Sequence, residues 1–235
     1  MLSIDGWLNG LTALLIVVFA TLFSTFILIK SIKATGTRTL TYGAFMGLFA
    51  GLLWLGPATD FLFILTTNNN LPNEFGLYGI LSYMWVAPAS FFAISLGADV
   101  TAPKMKKPLL IITGILGIIF EYVLFVYTLE MFDFHVYGSP GENLIDSSFI
   151  RMSIGFFLIG AFVGMVFIFC GIGTLLQAKK STGEIRKRFL LLSTSFLLFC
   201  VVAVFDALLE PTIILFIVRL GMIACAFFLY YGVKS

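Results

Sequence analysis

The stretch LTALLIVVFATLFSTFILIK, residues 11–30, decides how this chain folds. It runs for 19 residues without a charged side chain and ends on Lys30. A helix needs roughly 20 apolar residues to cross the hydrocarbon core of a bilayer. Similar runs recur along the chain and predict seven membrane-spanning helices, at residues 8–29, 40–66, 75–97, 108–129, 149–177, 189–209 and 211–233. The predicted fold class is therefore all-α: a polytopic membrane protein with a single transmembrane domain over residues 1–235.

The composition supports this class and excludes several functions. The chain is 60% hydrophobic and 11% charged, whereas soluble domains average about 25% charged residues. A net charge of +2 excludes nucleic acid as a partner. The three cysteines lie in apolar runs without metal-ligand spacing, and the single histidine is His135, so we expect no metal site, no cofactor and no enzyme activity.

The basic residues predict the orientation, because lysine and arginine accumulate on the cytoplasmic side. Twelve of the 14 basic residues fall on one side of the predicted spans: Lys30, Lys33, Arg38, Lys104, Lys106, Lys107, Lys179, Lys180, Arg186, Lys187, Arg188 and Lys234. The opposite loops carry acids: Asp5, Glu74, Glu130, Asp133, Glu142 and Asp146. We therefore predict an N-terminus outside and a cytoplasmic C-terminus. The charge asymmetry, and a first segment that lacks the pattern of a cleavable signal peptide, favour a multi-pass protein of a prokaryotic cell membrane.

A parallel 3+1+3 repeat is a further hypothesis. It pairs residues 1–100 with 149–235 and treats helix 108–129 as a linker. KATGTR (33–38) resembles KSTGEIR (180–186), and ASFFAISLG (89–97) resembles CAFFLYYG (225–232). The alternative is coincidence, because apolar helices match one another easily.

Glycine spacing predicts close helix packing in two places. Gly43, Gly47 and Gly51 form a double GxxxG pattern in helix 2, and Gly160 and Gly164 repeat the spacing in helix 5. Small residues at this spacing let helix backbones approach each other closely. The pattern leaves open whether the neighbouring helix belongs to the same chain or to a second copy.

Several charged residues fall inside the predicted spans, where each costs roughly 2.5–3.5 kcal/mol and normally finds a partner inside the bundle. Arg219 in helix 7 keeps its charge, and its planar fork suits a carboxylate. Glu121 in helix 4 matches Arg219 in depth, while Asp60 and Asp206 are within plausible reach. We predict that Asp60 pairs with an arginine in a polar pocket open to the outside.

Two interpretations of this pocket stay open: the charges hold helices together, or they line a site for a small extracellular ligand. Trp54, Pro57 and Asp60 lie on roughly one face of helix 2, and Pro57 predicts a kink there. Arg151 opens helix 5 near the outer boundary, and Glu210 shares a helix face with Asp206. The candidate ligand-binding residues are Asp60, Glu121, Asp206, Arg219, Trp54, Arg151 and Glu210.

The topology and length resemble those of microbial rhodopsins, although the motifs differ. A retinal Schiff base needs a lysine in helix 7, and EPTIILFIVRLGMIACAFFLYYG (210–232) contains none, so we reject a retinal protein. The chain is also similar to the seven-helix sensor regions that precede histidine kinases in prokaryotes. Sugar transporters of the 3+1+3 type share the topology, but helix 5 ends LLQAKK (175–180) and lacks their proline–glutamine motif.

Three functions follow as hypotheses. The first is a receptor-like or sensor protein that binds a ligand in the outer polar pocket and signals through a partner. Because Ser235 follows helix 7 directly, we expect no output domain, and the basic segment 178–188 is the candidate contact for a protein partner. The second is a small solute or ion transporter, or a channel. The third is a structural subunit of a membrane complex.

Overall fold

The computed structural model describes residues 2–33, 38–209 and 212–233 as a bundle of helices with one small β-hairpin. The helices are α1 Ile4–Lys33, α2 Arg38–Leu52, α3 Leu55–Thr67, α4 Leu77–Tyr83, α5 Val86–Thr101, α6 Lys106–Val126, α7 Thr128–Met131, α8 Ile154–Met165, α9 Gly173–Lys180, α10 Gly183–Asp206 and α11 Ile213–Val233. The strands are β1 Phe132–Val136 and β2 Ile145–Phe149. A 3₁₀ turn at Pro103–Met105 precedes α6, and a π-helical segment, Val166–Ile172, joins α8 to α9.

Six helical segments of the described chain are long and apolar enough to cross a membrane, and a bent pair, α2 with α3, makes a seventh if it counts as one span. The prediction of a helical, multi-pass membrane protein is confirmed at this level. The orientation of the chain and the internal repeat stay predictions.

The bend between α2 and α3 has a cause in the sequence. The two helices meet at 45°, and the break falls at Leu53 and Trp54. Pro57 lies in the first turn of α3, where its missing N–H is tolerated, but its ring would clash with the carbonyl four residues earlier in a continuous helix. That carbonyl belongs to Leu53, so the helix breaks there and not at the proline itself.

The segment between α7 and α8 corrects the sequence prediction, which treated it as an outer loop. Its two strands pair antiparallel, with Phe132 opposite Phe149 and Val136 opposite Ile145. Phe132 is buried while Asp133 and His135 are exposed, which is the alternation of a half-buried strand. The ring of Tyr83 in α4 stacks on Phe132 at 4.7 Å, so the hairpin covers one end of the bundle. That end, with loop 68–76 and the first turn of α1, is called the hairpin end below.

The opposite end, called the lysine-rich end, contains the turns between α5 and α6 and between α9 and α10. The Lys106 amino group lies 2.6 Å from a carboxylate oxygen of Asp99 and 4.8 Å from the ring centre of Tyr42. Lys104, Lys107, Lys179 and Lys180 are exposed. The charge asymmetry on which the predicted orientation depends is therefore an asymmetry between the two ends of this bundle.

The two glycine patterns have different outcomes. A Cβ added at Gly51 would lie 2.0 Å from the Cβ of Ala20, and one at Gly47 would lie 2.9 Å from the Ser24 hydroxyl. The pattern in α2 thus brings α1 close within the same chain, as the first alternative predicted. Gly160 and Gly164 in α8 have no atom within 4 Å of an added Cβ, so the packing predicted for that pair is absent from the described chain.

We predict that Gly51→Ala lowers the stability of the protein, because the new methyl group must push α1 and α2 apart. Overpacking of this kind costs about 1–3 kcal/mol. The measurement is the unfolding midpoint of the purified chain in detergent. Gly164→Ala is the matched control, since its methyl group meets open space, and equal midpoints for the two variants would contradict the packing described here.

Candidate functional site

Asp60 is fully buried and holds two loops against the end of α3. One carboxylate oxygen accepts a hydrogen bond from the backbone N–H of Leu71 at 2.7 Å, and the other accepts one from Ile145 at 2.8 Å. The side-chain amide of Asn70 donates to the second oxygen at 3.2 Å. The prediction that Asp60 pairs with an arginine is therefore wrong for the described residues, because backbone N–H groups that lie far away in the sequence satisfy its charge.

Asn70 extends this network into the hairpin loop. Its amide also donates to the carbonyl of Asn143 at 2.8 Å, and its oxygen accepts from the N–H of Gly141 at 2.8 Å. Gly141 has a φ of +79°, and a Cβ there would lie 2.1 Å from the carbonyl oxygen of Asn68. The contacts of Asp60 and Asn70 thus hold loop 68–76 and the hairpin together. This indicates a structural role for Asp60.

Arg219 is buried, with 6% of its surface exposed, and it joins three helices. Its Nε donates to Asp206 at the end of α10 at 2.9 Å, and a terminal nitrogen donates to the carbonyl of Asn9 in α1 at 3.2 Å. Of the three carboxylates considered from the sequence, Asp206 is the partner. Since an unpaired charge inside a bundle is costly, this pair fixes α11 against α10 and α1.

A small polar cavity of about 40 Å³ adjoins this ion pair. Its wall includes Trp54, Tyr78, Asp146, Asp206 and Arg219. A water needs roughly 10–15 Å³ of such space, so the cavity holds a few waters at most. Three of the predicted site residues, Trp54, Asp206 and Arg219, meet there, but the space is far below the volume of about 300 Å³ at which ligand pockets begin.

The other candidate residues lie elsewhere. Glu121 in α6 is half-buried, and one of its carboxylate oxygens is buried without a hydrogen-bond partner in the described chain. Its neighbour one turn earlier, Ile118, is 73% exposed, so this side of α6 faces the surroundings of the bundle. Arg151 is exposed in the turn before α8, and Glu210 lies outside the described residues.

A much larger cavity, of about 730 Å³, runs along the inside of the bundle. Its wall on α1 extends from Ile16 to Ile27, about 16 Å at the rise of an α-helix. On α10 it extends from Ser195 to Asp206, again about 16 Å. Most of the lining side chains are aliphatic or aromatic, so this is an elongated apolar cavity within the usual size range of ligand pockets.

The cavity opens sideways because α8 and α10 diverge. α10 packs against α11, α9 and the π-helical segment, whereas α8 packs against α5 and α6. Phe157 and Gly160 of α8 line the cavity from one side, and Ala203 and Val204 of α10 line it from the other. Phe157 is 55% exposed and Val204 is 45% exposed. This part of the cavity is therefore open to the surroundings of the bundle.

Charged groups of the described chain reach this cavity at the hairpin end. Arg151 and Asp206 line it there, together with Ser148. Deeper in, the hydroxyl of Ser195 donates to the carbonyl of Cys225 at 2.9 Å, so this polar group is already satisfied by the backbone. The cavity is therefore apolar along most of its length and polar at its hairpin end, which is called the cavity mouth below.

Comparison of the sequence with protein-family models and with curated proteins finds no match. The large cavity was not predicted from the sequence, since its lining side chains are of the same apolar types as those that face lipid. One signal was available: two glycines of α8, Gly160 and Gly164, sit in a helix whose other residues are almost all large and apolar, and one of the two lines the cavity.

We predict that Asp60→Asn destabilises the hairpin end, because the new amide replaces one acceptor and faces a backbone N–H with a donor. A buried donor without a partner costs about 1–3 kcal/mol. Limited proteolysis of loop 68–76 and of the hairpin loop measures the effect, together with the unfolding midpoint. Glu74→Gln removes an exposed carboxylate from the same loop and serves as the control; cleavage of both variants at equal rates would argue against the role of Asp60.

A second prediction concerns the buried ion pair. Asp206→Asn leaves the buried guanidinium of Arg219 without its counter-charge, so we expect a cost of about 3–5 kcal/mol. Arg219→Gln leaves the carboxylate of Asp206, whose side chain is 21% exposed, so it should cost less, and the double variant should cost less than the sum of the two. Unfolding of the purified variants in mixed micelles gives the coupling energy. The half-exposed pair of Lys106 with Asp99 is the matched comparison and should couple more weakly. Additive effects of the two substitutions at Asp206 and Arg219 would show that the pair contributes nothing.

Proposed function

We propose that this chain is a receptor-like membrane protein that binds a hydrophobic or amphiphilic ligand in the large cavity and signals through a partner. The observation that carries the proposal is a 730 Å³ apolar cavity with a lateral gap between α8 and α10. The ligand expected from the sequence was a small molecule in the outer polar pocket. The cavity beside Arg219 has about 40 Å³, so the volume favours the large cavity as the binding site.

The arrangement of helices suggests how binding would be relayed. α9 and α10 pack together at the lysine-rich end, whereas α8 and α10 diverge toward the hairpin end. A ligand in the gap would change the distance between these two helices, and α10 would carry the change to the basic segment 178–188. Lys179, Lys180 and Arg186 are exposed there, and they are available to an acidic partner surface or to anionic lipid.

The proposed orientation places the hairpin end outside and the lysine-rich end in the cytoplasm of a prokaryotic cell, which follows from the distribution of basic residues. The relay to segment 178–188 depends on this orientation, since the partner is expected on the cytoplasmic side. The transporter alternative needs a polar path between the two ends. The charged residues that line the large cavity, Arg151 and Asp206, lie at its hairpin end, which favours binding over transport.

The proposal predicts that a photoreactive long-chain alcohol labels the cavity. The experiment uses the full chain in nanodiscs, a hexadecanol that carries a diazirine, and mass spectrometry of the labelled peptides. We expect labelling at lining residues such as Ala203, and competition by unlabelled hexadecanol, because a binding site saturates and bulk lipid does not.

Two glycine variants of α8 sharpen the test. Gly160→Trp places an indole in the cavity and should abolish the competable labelling. Gly164→Trp is the matched control, because this position is equally open but does not belong to the cavity wall. Labelling that resists competition, or that survives in Gly160→Trp, would overturn the proposed function.

A further inference from the structure

Arg151 is the feature of the large cavity that the proposed function leaves unexplained. It lines the cavity at the hairpin end, and within the described chain it forms no ion pair. The other charged residue of the described chain that lines it is Asp206, whose carboxylate lies 2.9 Å from the guanidinium of Arg219. Among the described residues, the hairpin end of the cavity therefore has a guanidinium without an ion pair and an acid that already has its counter-charge.

The surroundings of Arg151 favour an anion. The N-terminal turn of α8 contributes Phe156 and Phe157 to the cavity wall, and the first N–H groups of a helix carry the positive end of its macrodipole. Ser153 caps this helix by accepting a hydrogen bond from the N–H of Phe156 at 3.2 Å. Asp146 of the hairpin lines the small cavity beside Arg219 and not the large one.

The shape of the cavity limits the ligand further. An apolar cavity of about 16 Å along its helices accepts an extended alkyl chain, while Arg151 is exposed at the hairpin end of the cavity. Its guanidinium offers a planar fork of donors that matches the oxygens of a carboxylate or a phosphate. A head group held there keeps contact with water while the chain enters the cavity.

Building on the proposed function, we infer that the ligand is a single-chain amphiphile with an anionic head group, a carboxylate or a phosphate. Arg151 binds the head group, and the alkyl chain occupies the cavity between α8 and α10. Arg219 does not take part directly, because its Nε and a terminal nitrogen are committed to Asp206 and to the carbonyl of Asn9.

The test compares four diazirine probes of equal chain length in nanodiscs of neutral lipid: hexadecanoic acid, hexadecyl phosphate, hexadecanol and hexadecylamine. Competable labelling of the cavity should be about tenfold stronger for an anionic probe than for the alcohol, the ratio that one charge-assisted contact supports. The acid and the phosphate distinguish a fatty acid from a phosphate head group. A preference for the amine would show that Asp206 determines the head group and would overturn the inference.

Arg151→Gln should reduce labelling by the anionic probes to the level of the alcohol and leave labelling by the alcohol unchanged. Arg186→Gln, an exposed arginine at the lysine-rich end, is the matched control and should change neither. Equal labelling by acid and alcohol in the wild-type chain would overturn the head-group inference while the proposed function stands. Absence of competable labelling by all four probes would overturn both.

Discussion

The contact of Arg219 with Asp206 and with the carbonyl of Asn9 is the interaction on which the cavity wall depends. It ties α11, α10 and α1 together near the hairpin end, in a region where an unpaired charge would be expensive. No ion pair in the described chain ties α8 to this group. One side of the cavity is therefore fixed by a buried charge, while α8 on the other side is held by packing on α5 and α6 and by the contact of the Cys200 thiol with the Val163 carbonyl.

The charged residues near the hairpin end divide according to whether the described chain supplies partners for them. Asp60 accepts hydrogen bonds from two loops, and Asp206 binds Arg219. Both carboxylates therefore already have partners within the protein. Arg151 forms no ion pair within the described residues. Because groups already satisfied inside the protein have little left to offer a ligand, this arginine at the cavity mouth is the better candidate for recognition than the buried charges selected from the sequence.

The sequence predicted the elements well and their mutual arrangement less well. Run length predicted helices long enough to cross a membrane, of which the described chain has six, or seven with the bent pair, because a bilayer requires about 20 apolar residues whatever they contact. The pairing of Arg219 with Asp206 was within reach, since few carboxylates compete inside the membrane. The partners of Asp60 come from Leu71 and Ile145, and backbone donors carry no sequence signal. The strand FDFHV (132–136) shows the alternation of a half-buried strand. The cavity leaves little signature beyond Gly160, because lipid-facing and cavity-lining side chains are chemically alike.

The π-helical segment Val166–Ile172 has a consequence for the rotational setting of α8. An i→i+5 turn encloses one residue more than an α-helical turn, and one residue corresponds to about 100° of rotation around the axis. α8 is therefore rotated relative to α9 around the helix axis. Both helices pack against α5, but the residues of α8 that face α5 are not those that a continuous α-helical spacing from α9 would place there. Deleting a single residue from this segment would rotate Gly160 and Phe157 by about 100° around the helix axis relative to α9. Both residues would then leave the gap between α8 and α10.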